Sequence, residues 1–390
     1  MSSEAFGVYV HVPYCASLCA YCDFNSVAVP APPWERYTTC ILAELAARAP
    51  VFDGLVARSI YFGGGTPSLA PPSVVARLVD ATRERFPLAP DAELTLEANP
   101  GTIDPPQLTA LRRAGVNRLS IGWQSTHDRL LTTLGRRHSA AQSREGVRLA
   151  REAGFRNLSI DLIFAVPGQS LADLDADLEA VVSLEVEHVS LYALTFHPGT
   201  ELWRRLDAGE LAAVDEDLEA DMMDRIEHRL GAAGFEHYEV SNYARPGARA
   251  VHNTLYWTGA KYLGLGPGAH SFWHEGWRRG IRWEGRRDPE ACFAAWSKRV
   301  RPGLPTRKDA RIEQVERLTQ RQLMTERFMC GLRFVDGVDL REPVFEGLMS
   351  AIAPGLEAAA RRDWIRREGS RVRPTPMGMR FGDALAALFF

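Results

Sequence analysis

Three of the six cysteines in this 390-residue chain, Cys15, Cys19 and Cys22, crowd together near its start, while Cys40, Cys292 and Cys330 are scattered. The spacing Cys-x3-Cys-x2-Cys follows directly on a β-rich run, FGVYVHV. Three thiolates on one tight loop can ligate three irons of a [4Fe–4S] cubane and leave the fourth iron open to a small chelating ligand. Zinc is the rival reading. It wants four protein ligands, and the fourth would come from His11 or Cys40. Three buried, unligated thiols are the third reading. Six cysteines in so long a chain do not make a disulfide framework, and their pattern predicts a reducing cytoplasm and one metal site.

Other chemistry-bearing residues sit where β-rich runs end. The runs are 6–12, 58–62, 93–97, 118–122, 157–163 and 188–193, followed by HVPYC, GGGTPS, EANP, GWQS, DLIFAVPGQ and TFHPGT. Glu97, Gln124 and Asp161 in these segments are not typical turn residues. Amphipathic helical patterns over 34–48, 73–85, 105–114, 140–153 and 171–184 separate the runs. Six such βα units predict a parallel sheet with right-handed crossovers. The strand rhythm stops near residue 196, so the expected fold is α/β with a partial (β/α)6 barrel, not a closed eight-stranded one. One site built from six strand-end loops follows from that arrangement; six ordinary turns are the plain alternative.

The expected domains are a barrel over 1–200, an extension over 201–300 and a smaller, mainly helical C-terminal domain over 301–390. The extension carries VHNTLYW (251–257) and GLGPGAHS (264–271); RPGLPT (301–306) reads as a linker. Long helices are expected over 312–332 and 356–368, and a strand pair and last helix give a wing-like end. With 46 basic and 49 acidic residues the net charge is −3, which leaves no global nucleic-acid footprint. The N-terminus lacks a signal-peptide pattern, and no window approaches the ~18 apolar residues of a membrane span. A cytoplasmic protein is expected.

The Cys-x3-Cys-x2-Cys loop, with Tyr21 before its last cysteine, resembles the radical S-adenosylmethionine superfamily. There the open iron takes the amino and carboxylate groups of S-adenosylmethionine, and one electron cleaves the sulfonium to a 5′-deoxyadenosyl radical. YVHVPYC, YFGGGTPS, LEANP, LSIGWQS, LGRRH, DLIFAVPGQ, LYALTFHPGT, YEVSNYA, HNTLYW and GLGPGAHS together resemble the oxygen-independent coproporphyrinogen III oxidase family. The resemblance implies that Tyr9, Tyr21, Gly64, Gly65, Thr66 and Glu97 contact S-adenosylmethionine. A glycine loop suits backbone N–H groups approaching a charged ligand. Gln124, Arg136 and Asp161 match a set that binds a second S-adenosylmethionine in the oxidase. Arg136 would pair with a carboxylate; a surface ion pair, or Arg137 in its stead, is the alternative.

Two departures from the oxidase stand out. Phe24 occupies the place of a further cysteine, and the chain reaches Cys15 after a shorter leading segment. Both resemble haem chaperones of the HemW type, and HNTLYW matches their HNxxYW motif. The resemblance implies haem bound near His252, Tyr256 and Trp257: an exposed imidazole can ligate iron while aromatic faces cover the macrocycle. An interior cluster with a hydrogen-bonded His252 is the alternative, and His237 and His270 are further ligand candidates. The implied partners are haem and haem-requiring apoproteins, respiratory membrane enzymes above all, with peripheral membrane contact and a homodimer. The enzyme reading is radical decarboxylation of coproporphyrinogen III propionates to protoporphyrinogen IX.

Overall fold

The computed structural model describes residues 4–298 and 300–389. Six parallel strands build the first half: β1 (Ala5–Val12), β2 (Val56–Gly64), β3 (Leu88–Ala98), β4 (Arg118–Gln124), β5 (Asn157–Phe164) and β6 (His188–Ala193). Each pairs in parallel with the next in chain order. The helices Trp34–Arg48, Pro72–Arg85, Pro105–Arg113, Ala140–Glu152 and Leu171–Ser183 follow the first five strands in turn. The expected (β/α)6 barrel wall is present.

Side chains alternate faces along a strand, and here both faces are covered. One set is apolar and packs under the helices: Val8 and Val10, Ile60 and Phe62, Leu94 and Leu96, Leu119 and Ile121, Leu158 and Ile160, Val189 and Leu191, all buried in one core. The other set is polar and faces inward: Tyr9 and His11, Tyr61, Thr95 and Glu97, Arg118 and Ser120, Ser159 and Asp161, His188 and Ser190. Helix starts are marked by local chemistry. Ser139 with Gln142 and Ser170 with Asp173 form reciprocal capping boxes.

The sheet does not end at the barrel. It continues through β7 (Glu236–Glu239), β8 (Asn242–Ala244), β9 (Lys261–Leu265), β10 (His270–Glu275), β11 (Arg279–Gly285) and β12 (Ile312–Thr319). The order is β12-β11-β10-β9-β1-β2-β3-β4-β5-β6-β8-β7. β9 is parallel to β1 and covers its free edge. β8, β10, β11 and β12 pair antiparallel to their neighbours.

Two sequence expectations are corrected. Residues 312–319 are strand, because they pair along the whole of β11; the helix begins only at Gln320, where Thr319 and Gln322 form a capping box. The helix expected over 356–368 runs instead over Met349–Arg361, and Ile365–Glu368 pairs with Arg371–Pro374. Phe328, Phe345, Ile352, Val372 and Leu385 centre a second, smaller core.

Gly264 on β9 shows how tightly this junction is built. A Cβ there would lie 2.0 Å from the His270 carbonyl oxygen, a backbone atom that cannot swing aside. Gly264→Ala is expected to lower unfolding free energy by roughly 1–3 kcal/mol in a denaturant titration. Gly231→Ala, in the helix Glu216–Ala232 with nothing within 4 Å, is expected to cost nothing in the same titration.

Candidate functional site

The cluster-type loop grows out of β1. Tyr14–Cys15 pairs with Val27–Ala28, closing the chain between them into a loop that carries Cys19 and Cys22. Cys15 is buried and the other two are half-buried. Donors reach two of the sulfurs: Thr66 Oγ1 donates to Cys15 Sγ at 3.5 Å and Arg136 Nη1 to Cys19 Sγ at 3.4 Å. Among the described residues no three His, Cys, Asp or Glu side chains converge as ligands of one ion, which a single zinc would need. Thiols that each bind a separate iron need not converge. Three thiols on one loop that line a cavity fit the three-cysteine ligation of a cubane.

The glycine loop works differently from its sequence expectation. All three N–H groups are already used: Gly64 donates to Glu97 Oε2 (3.1 Å), Gly65 to the Val12 carbonyl and Thr66 to the Tyr14 carbonyl (both 2.8 Å). None is left over for a ligand. The glycines instead allow close approach. Gly64 has φ +113°, and a Cβ on it would strike the His11 ring at 2.5 Å; one on Gly65 would meet Tyr14 O at 2.7 Å and Cys15 Sγ at 3.0 Å.

Inside the barrel a cavity of about 360 Å³ is lined by the three cysteines together with Tyr21, Gly64, Gly65, Thr66, Glu97, Gln124, Arg136 and Asp161. These residues come from distant parts of the sequence and meet at one place, as the strand-end pattern predicted. Tyr9 is the exception. It hydrogen-bonds His11 Nδ1 at 3.1 Å and lines an adjoining groove instead.

Burial dominates the electrostatics. Glu97 is pushed up to about 7 by loss of water, with the Asp161 charge adding to it; the Tyr61 hydroxyl (2.8 Å) and Gly64 N–H oppose the shift. Asp161 is pushed up to about 6 for the same first reason, against the Ser120 hydroxyl at 3.0 and 3.1 Å. Arg136 is turned inward, donating to the Gly122 carbonyl at 2.9 Å, to Asn99 and to Cys19. It forms no carboxylate pair among the described residues, so the surface ion pair is corrected, while Arg137 is exposed. Gln124 adopts φ +67°, a left-handed conformation that costs a non-glycine residue roughly 1 kcal/mol or more and is held here by its buried surroundings.

Arg118 was missed from the sequence. It is 2% exposed and lines the cavity; its Nε has no hydrogen-bond partner among the described residues, and its carboxylate contact, Glu93 Oε2, is 3.9 Å away. A buried guanidinium so loosely paired can receive an anionic ligand group. The signal was present in RLSIGWQ, where Arg118, Ser120, Gly122 and Gln124 alternate onto the cavity face.

His252 is not exposed, which corrects that expectation. It is buried, its Nδ1 paired with Ser59 Oγ (2.7 Å) and its Nε2 with Tyr256 OH (2.8 Å), and its ring stacks on Tyr61. Burial, with Arg118 nearby, pulls its pKa down to about 3. Neither nitrogen is available to iron without breaking a buried hydrogen bond. Tyr256 and Trp257 are half-buried and line a groove of about 720 Å³ that also touches Arg333 and Phe381. His237 is stacked on Tyr243 at 4.3 Å, whereas His270 is exposed.

Comparison with known proteins adds a second line. The radical SAM superfamily profile matches residues 9–181, and the HemN C-terminal domain profile matches 318–381. A heme chaperone HemW of Mycobacterium tuberculosis is 44% identical over 276 residues, 70% of this chain and 70% of that protein. The heme chaperone HemW of Lactococcus lactis is 35% identical over 338 residues, 87% of this chain and 84% of its own. Among solved structures, coproporphyrinogen III oxidase (HemN) from Escherichia coli has a TM-score of 0.82 at 21% identity, covering 99% of this chain and 90% of its own. That likeness shows the fold alone.

The raised carboxyls set a pH dependence with a definite sign. Between the unfolded value near 4.5 and the folded value near 7, the folded chain holds a proton on Glu97 that the unfolded chain has lost. Stability of the cluster-free protein therefore falls as pH rises through that window. Glu97→Gln is expected to flatten the fall in melting temperature between pH 5 and pH 8, read by circular dichroism.

Proposed function

The chain belongs to the radical S-adenosylmethionine superfamily, in the family of the proteins named heme chaperone HemW, and on that premise we propose that it binds haem beside a [4Fe–4S] cluster and S-adenosylmethionine and passes the haem to haem-requiring apoproteins. The observation that carries the reading is the shared wall. Gly64 and Glu97 line the cysteine cavity on one side and an aromatic groove on the other. Two cavities thus abut, one that would take the cofactor and one, bordered by aromatic rings, that would take a flat cargo.

Cys15, Cys19 and Cys22 would hold the cluster, which when bound supplies an electron to the sulfonium. The protein's part is binding and orientation. Thr66 and Arg136 donate to the thiolates, and charge-assisted donors of this kind stabilise the anionic form of a ligand sulfur. Arg136, Gln124 and Asp161 would bind the polar parts of S-adenosylmethionine, with Glu97 accepting from hydroxyl or ammonium groups. Tyr21, half-buried beside Cys22, helps to keep water from the cavity. Tyr256 would pack on the haem face, positioned by its hydrogen bond to the buried His252, whereas Trp257 lines the separate groove beside Arg333 and Phe381.

Phe24, 65% exposed, presents an apolar ring where the oxidase pattern has a further thiol, and this favours cargo over decarboxylation. Delivery to respiratory membrane enzymes would involve peripheral contact; among the described residues no helix is long and apolar enough to cross a membrane. The barrel over 1–200, the extension over 201–300 and the C-terminal domain over 301–390 are proposed as its parts.

Anaerobic reconstitution is expected to load about four irons per chain. Cys15→Ala, Cys19→Ala and Cys22→Ala are each expected to lose nearly all of it, whereas Cys330→Ala keeps it. The reconstituted protein is expected to bind haem saturably and to restore the spectrum of a haem-requiring apoprotein. Conversion of coproporphyrinogen III under reducing conditions, without haem transfer, would replace this reading with the oxidase.

A further inference from the structure

Of the ten histidines, two have side chains more than two-fifths exposed and line a cavity: His197 (43%), at the mouth of the cysteine cavity, and His270 (51%), in the adjoining groove. Of the others, His237 is stacked on Tyr243, and the exposed His228 and half-buried His127 line neither the cysteine cavity nor the adjoining groove. His11, His188 and His252 have both ring nitrogens engaged, and His138 and His274 are buried.

We propose that His270 is the axial ligand of haem iron, in a groove walled by Phe24, Tyr9, Tyr256 and Tyr262. This rests on the haem reading above and assigns its site. Room and lining favour His270 over His197, and a third feature fits its imidazole to a metal. The first is room: the groove measures about 700 Å³, within the range of roughly 300–1,000 Å³ for cofactor-sized pockets, while the cysteine cavity at about 360 Å³ has S-adenosylmethionine to hold. The second is lining. Four aromatic rings border the groove, Phe24 largely exposed and Tyr256 set edge-on to Tyr262 at 4.7 Å. Such faces can cover a macrocycle, and the Tyr9 and Tyr256 hydroxyls are already engaged by His11 and His252.

The third is the imidazole itself. His270 Nδ1 has no partner among the described residues, and Nε2 lies 3.7 Å from Glu284 Oε1, too far for a hydrogen bond. A carboxylate at that distance can close on the ring N–H once the other nitrogen takes a metal, which fixes the ring and raises its basicity. His197 has a carboxylate partner of the same kind, Asp23 Oδ2 at 3.2 Å from Nδ1, so room and lining are what separate the two histidines. Arg287 at the rim donates through Nε to Glu284, and its terminal nitrogens face no partner among the described residues; they can take a propionate carboxylate. The site unites His270 of GLGPGAHS, Tyr256 of HNTLYW and Phe24 beside the cysteine loop.

The test is a haem titration of the full-length, cluster-reconstituted protein, followed by the Soret band. His270→Ala is expected to shift the Soret maximum and to weaken binding about tenfold or more, with imidazole in the buffer restoring the wild-type band. His270→Tyr, which keeps a ligand atom, is expected to give a different, high-spin spectrum. His197→Ala is expected to match wild type. Wild-type band and affinity in both His270 variants would overturn the assignment while leaving the chaperone reading in place. Absence of saturable binding by wild type would overturn both.

Discussion

Charge held inside the barrel is the constraint on which the rest of this structure turns. Glu97, Asp161, Arg118 and Arg136 all line one cavity, and a buried charge persists only when neighbours replace the water it has lost. The replacements are specific: the Tyr61 and Ser120 hydroxyls, the Gly64 N–H, the Asn99 amide oxygen and the Gly122 carbonyl. They stand on β2 (Tyr61, Gly64), just past β3 (Asn99) and on β4 (Ser120, Gly122), so three neighbouring strands must be in register for the charges to be tolerable. A barrel whose inner positions were Val, Ile and Leu would fill with side chains. This one keeps a polar lumen and places its apolar residues outward, beneath the helices.

That division explains what could be read from sequence and what could not. The six strands and five crossover helices were legible because the outward positions, such as Val8, Val10, Leu119 and Ile121, give each run a β-rich character between amphipathic helices. The gathering of Glu97, Gln124 and Asp161 followed from their places at strand ends. Arg118 was overlooked because attention to strand ends passes over a residue at the start of its strand, although alternation in RLSIGWQ points it inward. IEQVERLT read as helix because its character depends on β11, a partner set by long-range pairing that local pattern does not carry.

The exposure expected of His252 and the open donors expected of the glycine loop are corrected for a related reason. The HNTLYW motif states residue types and not which way they face; the helix Val251–Trp257 turns His252 into the barrel wall, where Glu93 accepts from its N–H at 3.1 Å. GGGTPS suggested open donors. The spacing of β1 and β2 uses those donors up, and the absence of side chains is spent on closeness to His11 and Cys15.

One feature of the sheet bears on how the protein comes into being. The strand that leads to the cysteine loop is flanked by β2 on one edge and β9 on the other, and Val10 pairs with Leu265, roughly 250 residues later in the chain. At a synthesis rate of about 5–20 residues per second, that partner emerges from the ribosome on the order of ten to fifty seconds after the cysteines do. During that interval the edge of β1 is an unpaired template and the thiols stand beside an unfinished wall. Iron loading before closure would meet a loop whose neighbours are not yet fixed. The topology therefore places completion of the sheet around the cysteine loop after translation of the second half of the chain.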